Sequence, residues 1–371
     1  MLSVNILITG ATGFIGGATT AALMSDGLTS NLRFLIRADN EVCGLARLKE
    51  SLLRFEVPLM LLDQLTPQQV IPGDLGEVEG FSGDARLDST TQVLNCAGVT
   101  SFGNNPKIWP INVKGTVEFA RRMSNTPGLR RFLHVGTAMA CGPWLTSPIR
   151  ESWSFPPANA HLVPYTYSKA EAEQQMREEI PGLPLVVARP SIVVGHSRLG
   201  CAPSTSIFWA FRMAQDLGRF RFLGDESIDV IPVDYCASAL KLLLLRENLS
   251  ADLYHVSAGV MSGSSFRDID IAMAQARRIE PVGHAYRRIA VEELPLLPPE
   301  LLARMGVRSR RLIVTAAKIY EGFAALNYLF DNSRLMSEGM PPPPRFTDYV
   351  SRCIETTENV PLLKQMLDDF K

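Results

Sequence analysis

The stretch "NILITGATGFIGGATTAALM", residues 5–24, constrains the fold of this chain more than any other. A short apolar, β-branched run leads straight into Gly10, Gly13 and Gly16, and a helical pattern begins at Ile15. Glycines at that spacing permit a tight turn and let backbone N–H groups approach a pyrophosphate at the positive end of the helix. The turn, with Thr12, Phe14 and Ile15 between its glycines, reads as the first strand–turn–helix of a dinucleotide-binding fold.

The rhythm continues as "LRFLI", "QVIPGD", "TQVLNC", "RRFLHV" and "LPLVVARP", each separated by longer helical patterns. Strands alternating with helices predict βαβ units, and right-handed crossovers make these an α/β, doubly wound parallel sheet. After "IVVGHSRLG" the pattern changes: "IFWAFRMAQDLGRF" reads as helix, "IDVIPVDYCASALKLLLL" as strand and helix, and "LYHVSAG" as a strand able to rejoin the sheet. From Val260, helical segments alternate with the proline-rich breaks "ELPLLPPELL" and "MPPPPRF". The expected division is a Rossmann domain over 1–195 plus about 228–258, and a smaller, mostly helical substrate-binding lobe over 196–227 and 259–371.

With 371 residues, 46% of them hydrophobic, the chain can bury a sizeable core. Its net charge of −1 and the lack of a basic block argue against nucleic acid as the main partner, which favours a small molecule. The six cysteines are scattered without C-x-x-C spacing, so reduced thiols in the cytoplasm are expected, with neither a disulfide framework nor a metal site. No signal-peptide series opens the chain, and no apolar run has the length of a membrane span. The stretch "RSRRLIVTAAKIYEGFAALNYLF" (308–330) has the basic start and apolar continuation of a membrane-surface helix, although packing on the core is the commoner fate of such a pattern.

The second strand ends at Arg37, where a fold selective for NAD usually offers an acid to the ribose. An arginine suits a 2′-phosphate, so NADPH is expected, with Arg47 as a second contact. Asp39 keeps NADH as the less favoured alternative. Asp74 and Leu75 follow the third strand, where a carboxylate can accept the adenine amino group and a leucine can cover the ring. Small residues after the fourth strand, Ala97 and Gly98 among them, let the chain pass close to the cofactor.

In "VPYTYSKAEAEQQM", Tyr165 and Lys169 are four residues apart and share a helix face, whereas Tyr167 points away from it. A neighbouring ammonium favours the phenolate, so Tyr165 is placed to exchange a proton with a substrate oxygen. Thr137, at the end of the fifth strand, can put a hydroxyl on the same oxygen. Asn112, in the helical pattern between the fourth and fifth strands, is a candidate to hold a water behind Lys169.

Together "TGATGFIG", "GDL", "NCAG", "YTYSK" and "ARPSIVVG" resemble the motifs of the extended short-chain dehydrogenase/reductase family over about residues 4–260. The resemblance implies Thr137, Tyr165 and Lys169 as the catalytic triad. It also implies that backbone after Pro190, around Ile192, receives the nicotinamide amide. Within the family, "FLIRADNEVCGLARLKESLLRF" and "HVGTAMACG" are similar to fatty acyl-CoA reductases and carrier-protein thioester reductases, with Gly136 in place of the usual serine. That branch implies NADPH-dependent reduction of an acyl-CoA or acyl-carrier thioester to aldehyde or alcohol, with Lys169 lowering the pKa of Tyr165. Phe208, Trp209, Phe211 and Phe222 are candidates to line an acyl tunnel. A ketone, hydroxysteroid or nucleotide sugar is the alternative substrate, the last needing cations such as Arg198, Arg212, Arg219 or Arg221. A non-catalytic NADP(H) sensor is a minor alternative, and a homodimer is one assembly such a chain can form.

Overall fold

The protein is described by a computed structural model, which describes residues 4–143, 145–220, 224–283, 287–288, 314 and 322–369. Its first half alternates strand and helix: β1 (Ile6–Thr9), α1 (Phe14–Ser25), β2 (Leu32–Ile36), α2 (Glu41–Leu53), β3 (Val70–Pro72) and β4 (Gln92–Asn95). Next come α3 (Thr116–Ser124), β5 (Arg131–Val135), α4 (Pro164–Glu179) and β6 (Leu185–Pro190), and a seventh strand, β7 (Leu253–Val256), joins from far along the chain. These seven strands form one parallel sheet, in the order β7-β6-β5-β4-β1-β2-β3. Ile6 pairs with Leu32 on one side and Gln92 on the other, so the strand order reverses at β1. The doubly wound sheet is therefore present, and the run "LYHVSAG" does rejoin it.

The sheet is covered on both faces, which is why its strands read as continuous apolar runs instead of alternating ones. Ile6, Leu7 and Ile8 are all 0% exposed. On one face Ile8, Leu94 and Leu133 pack with α1 and with α5 (Val233–Leu245). On the other, Leu7, Val93 and Phe132 pack with Phe119 of α3 and Met176 of α4. Burying each such side chain stabilises the fold by about 1.5–3 kcal/mol.

A separate apolar cluster forms the lobe. It unites Phe208 and Phe211 of helix Phe208–Leu217 with Phe266 and Met273 of helix Phe266–Arg277, and with Phe346 and Tyr349 of helix Phe346–Thr357. The buried carboxylate of Asp229 ties this lobe to the sheet. It accepts hydrogen bonds from the backbone N–H groups of Ala258 (2.7 Å), Gly259 (3.2 Å) and Phe330 (3.0 Å).

The segment carrying Asn112 is not a regular α-helix. Trp109–Gly115 forms a π-helical stretch before α3. Pro110 cannot donate a backbone hydrogen bond, and the Thr116 hydroxyl reaches back to the carbonyl of Ile111 at 3.0 Å, which stabilises the wider turn. Most of 308–330, the suggested membrane-surface helix, lies outside the described residues, as do Arg221 and Phe222. Among the described residues no helix is long and apolar enough to cross a membrane.

Candidate functional site

In doubly wound sheets ligands bind beyond the carboxyl ends of the strands, where the order reverses. A cavity of about 510 Å³ lies there, lined at one end by Gly10, Gly13 and Gly16 and in its middle by Thr137 and Tyr165. Gly10 has φ +72°, and a Cβ on it would lie 2.7 Å from the Ala97 nitrogen, so only glycine lets the turn lie against the end of β4. Gly13 is the N-cap of helix α1 and offers no side chain to cap it. Its first-turn N–H groups are therefore available to an anion from the cavity. Thr12 is anchored from below, its carbonyl accepting from Ser51 Oγ (3.0 Å) and Arg54 (3.2 Å). An uncapped helix start beside a glycine-lined cavity fits the pyrophosphate of a dinucleotide.

Beyond β2 and β3 the structure brings three expected cofactor residues together. The Arg37 guanidinium, 62% exposed, is 3.8 Å from the Asp74 carboxylate. Arg47 donates to the Arg37 carbonyl at 2.7 Å. Asp74 also accepts from the Gly76 N–H at 2.8 Å, which orders the turn after β3, while Leu75 is buried in the core beneath.

A polar chain crosses the sheet just below the cavity. The Ala97 N–H donates to Thr9 Oγ1 (3.1 Å), the Thr9 hydroxyl to Asn95 Oδ1 (2.6 Å), and Asn95 Nδ2 to His134 Nδ1 (3.1 Å). Burial and the nearby Lys169 and Arg189 cations push the His134 pKa well below its ordinary value, so the ring accepts as a neutral imidazole. This chain holds the Ala97–Gly98 backbone at the cavity edge. Sequence reasoning missed it, although polar residues inside the apolar runs "LITG", "VLNC" and "FLHV" were its available signal.

Tyr165 and Lys169 lie on α4, which starts with Pro164 in its first turn. Tyr165 is half-buried against Phe102, their ring centroids 5.8 Å apart. Lys169 is 4% exposed. Thr137 lies two residues past β5 and accepts from the Met139 N–H at 3.4 Å. Burial pushes the Tyr165 pKa up to about 12, with Glu173 adding to the rise, whereas burial lowers that of Lys169 to about 8 against the pull of Glu173. Loss of hydration and the Glu173 carboxylate both favour the protonated form of the phenol. Tyr167 turns elsewhere, its ring against Trp109 (5.6 Å) and His161 (5.5 Å).

Asn112 is 1% exposed and fully engaged. Its Oδ1 accepts from the Val99 N–H (2.7 Å), and its Nδ2 donates to the Val99 carbonyl (2.9 Å) and to Ser168 Oγ (3.0 Å). It clamps the segment after β4 to Ser168, in the second turn of α4. Pro190 and Ile192 line the cavity, and the Ile192 N–H already donates to the Asp229 carbonyl at 3.2 Å.

Past Tyr165 the cavity runs into the lobe between Ala210, Phe211 and Ala214 on one helix and Phe266, Ile269 and Met273 on another. Of the proposed tunnel aromatics, Phe211 lines it, and Phe208 and Trp209 are core at 0% exposure. No lysine or arginine lines the cavity among the described residues. Arg198 pairs with Glu56 at 2.7 Å, and Arg212 donates to the carbonyls of Thr357 (2.8 Å) and Val360 (3.0 Å). The side chains of Arg219 and Arg221 lie outside the described residues.

Comparison with known proteins agrees with this geometry. Over 252 residues the chain is 24% identical to a non-canonical nonribosomal peptide synthetase, hkm10, of Aspergillus hancockii, covering 63% of this chain and 24% of that protein. Over 280 residues it is 25% identical to the fatty acyl-CoA reductase wat of Drosophila melanogaster, covering 63% of this chain and 53% of that protein. The chain therefore spans about a quarter of the first relative and about half of the second. The terminal R domain from the myxalamid PKS-NRPS biosynthetic pathway shares the fold, with a TM-score of 0.76 at 20% identity over 96% of this chain and 90% of that one. Residues 8–240 match the model of the male sterility protein family, an NAD-binding domain. The chain belongs to that family, and with it to the extended short-chain dehydrogenase/reductases.

Proposed function

We propose that the chain reduces an acyl thioester, carried by CoA or an acyl-carrier protein, to aldehyde or alcohol with NADPH. The observation that carries this reading is one cavity that joins the glycine turn, Thr137 and Tyr165 to an apolar channel with no cation among its described lining residues. An acyl chain suits such a channel, whereas the pyrophosphate of a nucleotide sugar needs positive partners. The peptide synthetase and the fatty acyl-CoA reductase among the relatives support the same substrate class.

In this mechanism the uncapped start of α1 holds the pyrophosphate, Arg37 and Arg47 hold the 2′-phosphate, and Asp74 accepts from the adenine amino group. When bound, the nicotinamide supplies the hydride that goes to the carbonyl carbon. The Thr137 hydroxyl donates to the carbonyl oxygen and orients it. Tyr165 gives that oxygen its proton as the C–H bond forms, with the protonated Lys169 beside it stabilising the phenolate left behind. The resulting hemithioacetal releases thiol and leaves an aldehyde, which a second cycle takes to the alcohol. Asn112 acts as a positioning residue, holding the loop after β4 against α4.

The test is NADPH oxidation by the purified chain with acyl-CoA, acyl-carrier protein, free aldehydes, ketones and nucleotide sugars in parallel. Thioester-dependent oxidation with release of free thiol is expected. Activity with ketones or sugars alone overturns the reading.

A further inference from the structure

Helix α4 carries a third ionisable residue on the face of Tyr165 and Lys169. Glu173 lies one further turn along, at the i, i+4 spacing from the lysine, and is 0% exposed. Its Oε2 accepts from Arg189 Nε (2.9 Å) and Nη2 (2.6 Å). Arg189, on β6 and 1% exposed, also donates to the Ser152 carbonyl at 3.0 Å. The other carboxylate oxygen, Oε1, is buried and has no hydrogen-bond partner among the described residues. A Cβ on residue 136 would lie 2.1 Å from it. Gly136 is therefore what admits this carboxylate beneath Thr137.

Burying a charge is costly without a partner, so an ion pair at this depth needs a reason. The ionisable groups around Lys169 come from the elements packed on it: Tyr165 and Glu173 on α4, Cys96 after β4, His134 on β5 and Arg189 on β6, while Cys141, in the turn after Thr137, is near Arg189. Burial raises both thiols, Cys96 to about 12 and Cys141 to about 11, and keeps His134 neutral. Within this set Glu173 is the one carboxylate, and it acts on both Lys169 and Tyr165.

We propose that Glu173, admitted by Gly136 and anchored by Arg189, is a positioning residue that keeps the buried Lys169 in its ammonium form and so sets the upper pH limit of proton transfer by Tyr165. The inference rests on the reductase reading only in requiring a protonated Lys169. The sign follows from the charges: burial draws the Lys169 proton off near pH 8, and removing the carboxylate makes it leave at lower pH.

The experiment measures kcat/KM against pH for wild type, Glu173→Gln, Glu173→Asp and Tyr165→Phe. Lys169 is followed in parallel without cofactor, by NMR of 13Cε-lysine-labelled protein with its resonance assigned through Lys169→Met. Glu173→Gln is expected to move the alkaline limb and the Lys169 midpoint down by about one pH unit, roughly a tenfold loss at pH 8 relative to its own maximum. Glu173→Asp, which keeps the charge, restores most of the shift. If Glu173→Gln fails to fold because Arg189 is left unpaired, the double variant Glu173→Gln/Arg189→Gln is compared with Arg189→Gln alone, so that the difference between the two midpoints isolates the carboxylate and is judged by the same criterion. An unmoved midpoint and limb overturn the proposal. Loss of activity in Tyr165→Phe alongside an unmoved Glu173→Gln profile refutes this role alone, whereas full activity in Tyr165→Phe refutes the underlying reductase mechanism.

Discussion

Replacing Arg37 with alanine tests the cofactor assignment where the structure makes it most exposed to failure. The guanidinium is 62% exposed at the end of β2, 3.8 Å from Asp74 and braced by Arg47 through its own carbonyl. Hydrogen bonds to a charged group contribute about 1.5–3 kcal/mol, and the exposure of this one places it toward the lower end, because water competes and salt screens. That corresponds to roughly a 10- to 30-fold loss in kcat/KM for NADPH. NADH offers a hydroxyl instead of a phosphate at this point, so its kcat/KM should change by less than about threefold, and the loss of NADPH preference is the diagnostic. The substitution also leaves the Asp74 carboxylate without its cation, which adds repulsion toward a 2′-phosphate and none toward a hydroxyl. The assay is steady-state kinetics with both cofactors at low and high salt, where the wild-type preference should itself shrink as salt rises. A ratio of the two kcat/KM values that stays within about threefold of wild type would refute the phosphate role.

Tyr165→Phe should lower turnover by about 10²-fold or more while leaving NADPH affinity nearly intact; Tyr167→Phe keeps the ring between Trp109 and His161 and should retain activity, and equal losses in the two variants refute the assignment. Asn112→Leu leaves the Val99 backbone groups and Ser168 without their partner and should lower stability by roughly 1–3 kcal/mol in urea unfolding; an unchanged midpoint would show that the clamp is dispensable. Ala214→Trp fills the channel where it enters the lobe, and overpacking of about 1–3 kcal/mol should cut kcat/KM for a long acyl thioester at least about fivefold more than for a butyryl one. Equal effects on both chain lengths would place the acyl group elsewhere.

Much of the framework was legible in consecutive residues. The glycine turn, the spacing of strand-like runs and the four-residue interval from Tyr165 to Lys169 depend on local geometry, and each appears where the pattern implied. The rhythm of "LITGATGFIG" could even indicate which end of the sheet holds the ligand, since an uncapped helix start must face something that satisfies it. The π-helical turn around Asn112 was not legible, because Pro110 and Thr116 shift the backbone by an amount that helical periodicity does not encode. Nor were the roles of the lobe aromatics: Phe208, Trp209 and Phe211 are near neighbours on one helix, yet only Phe211 reaches the cavity.

What the sequence determined by itself is a doubly wound dinucleotide fold with a tyrosine and a lysine on one helix face. What tertiary structure decided is the electrical environment of that pair. Asn95 meets His134 across 39 positions, Thr9 meets Asn95 across 86, and Glu173 meets Arg189 across 16, each pairing made by the stacking of strands and helices. Loss of hydration raises the Tyr165 phenol and lowers the Lys169 ammonium to about 8, and that loss belongs to the packed layers collectively. Even Gly136, which in sequence only lacks a side chain, acquires its meaning from a carboxylate that α4 delivers to the place where a Cβ would be.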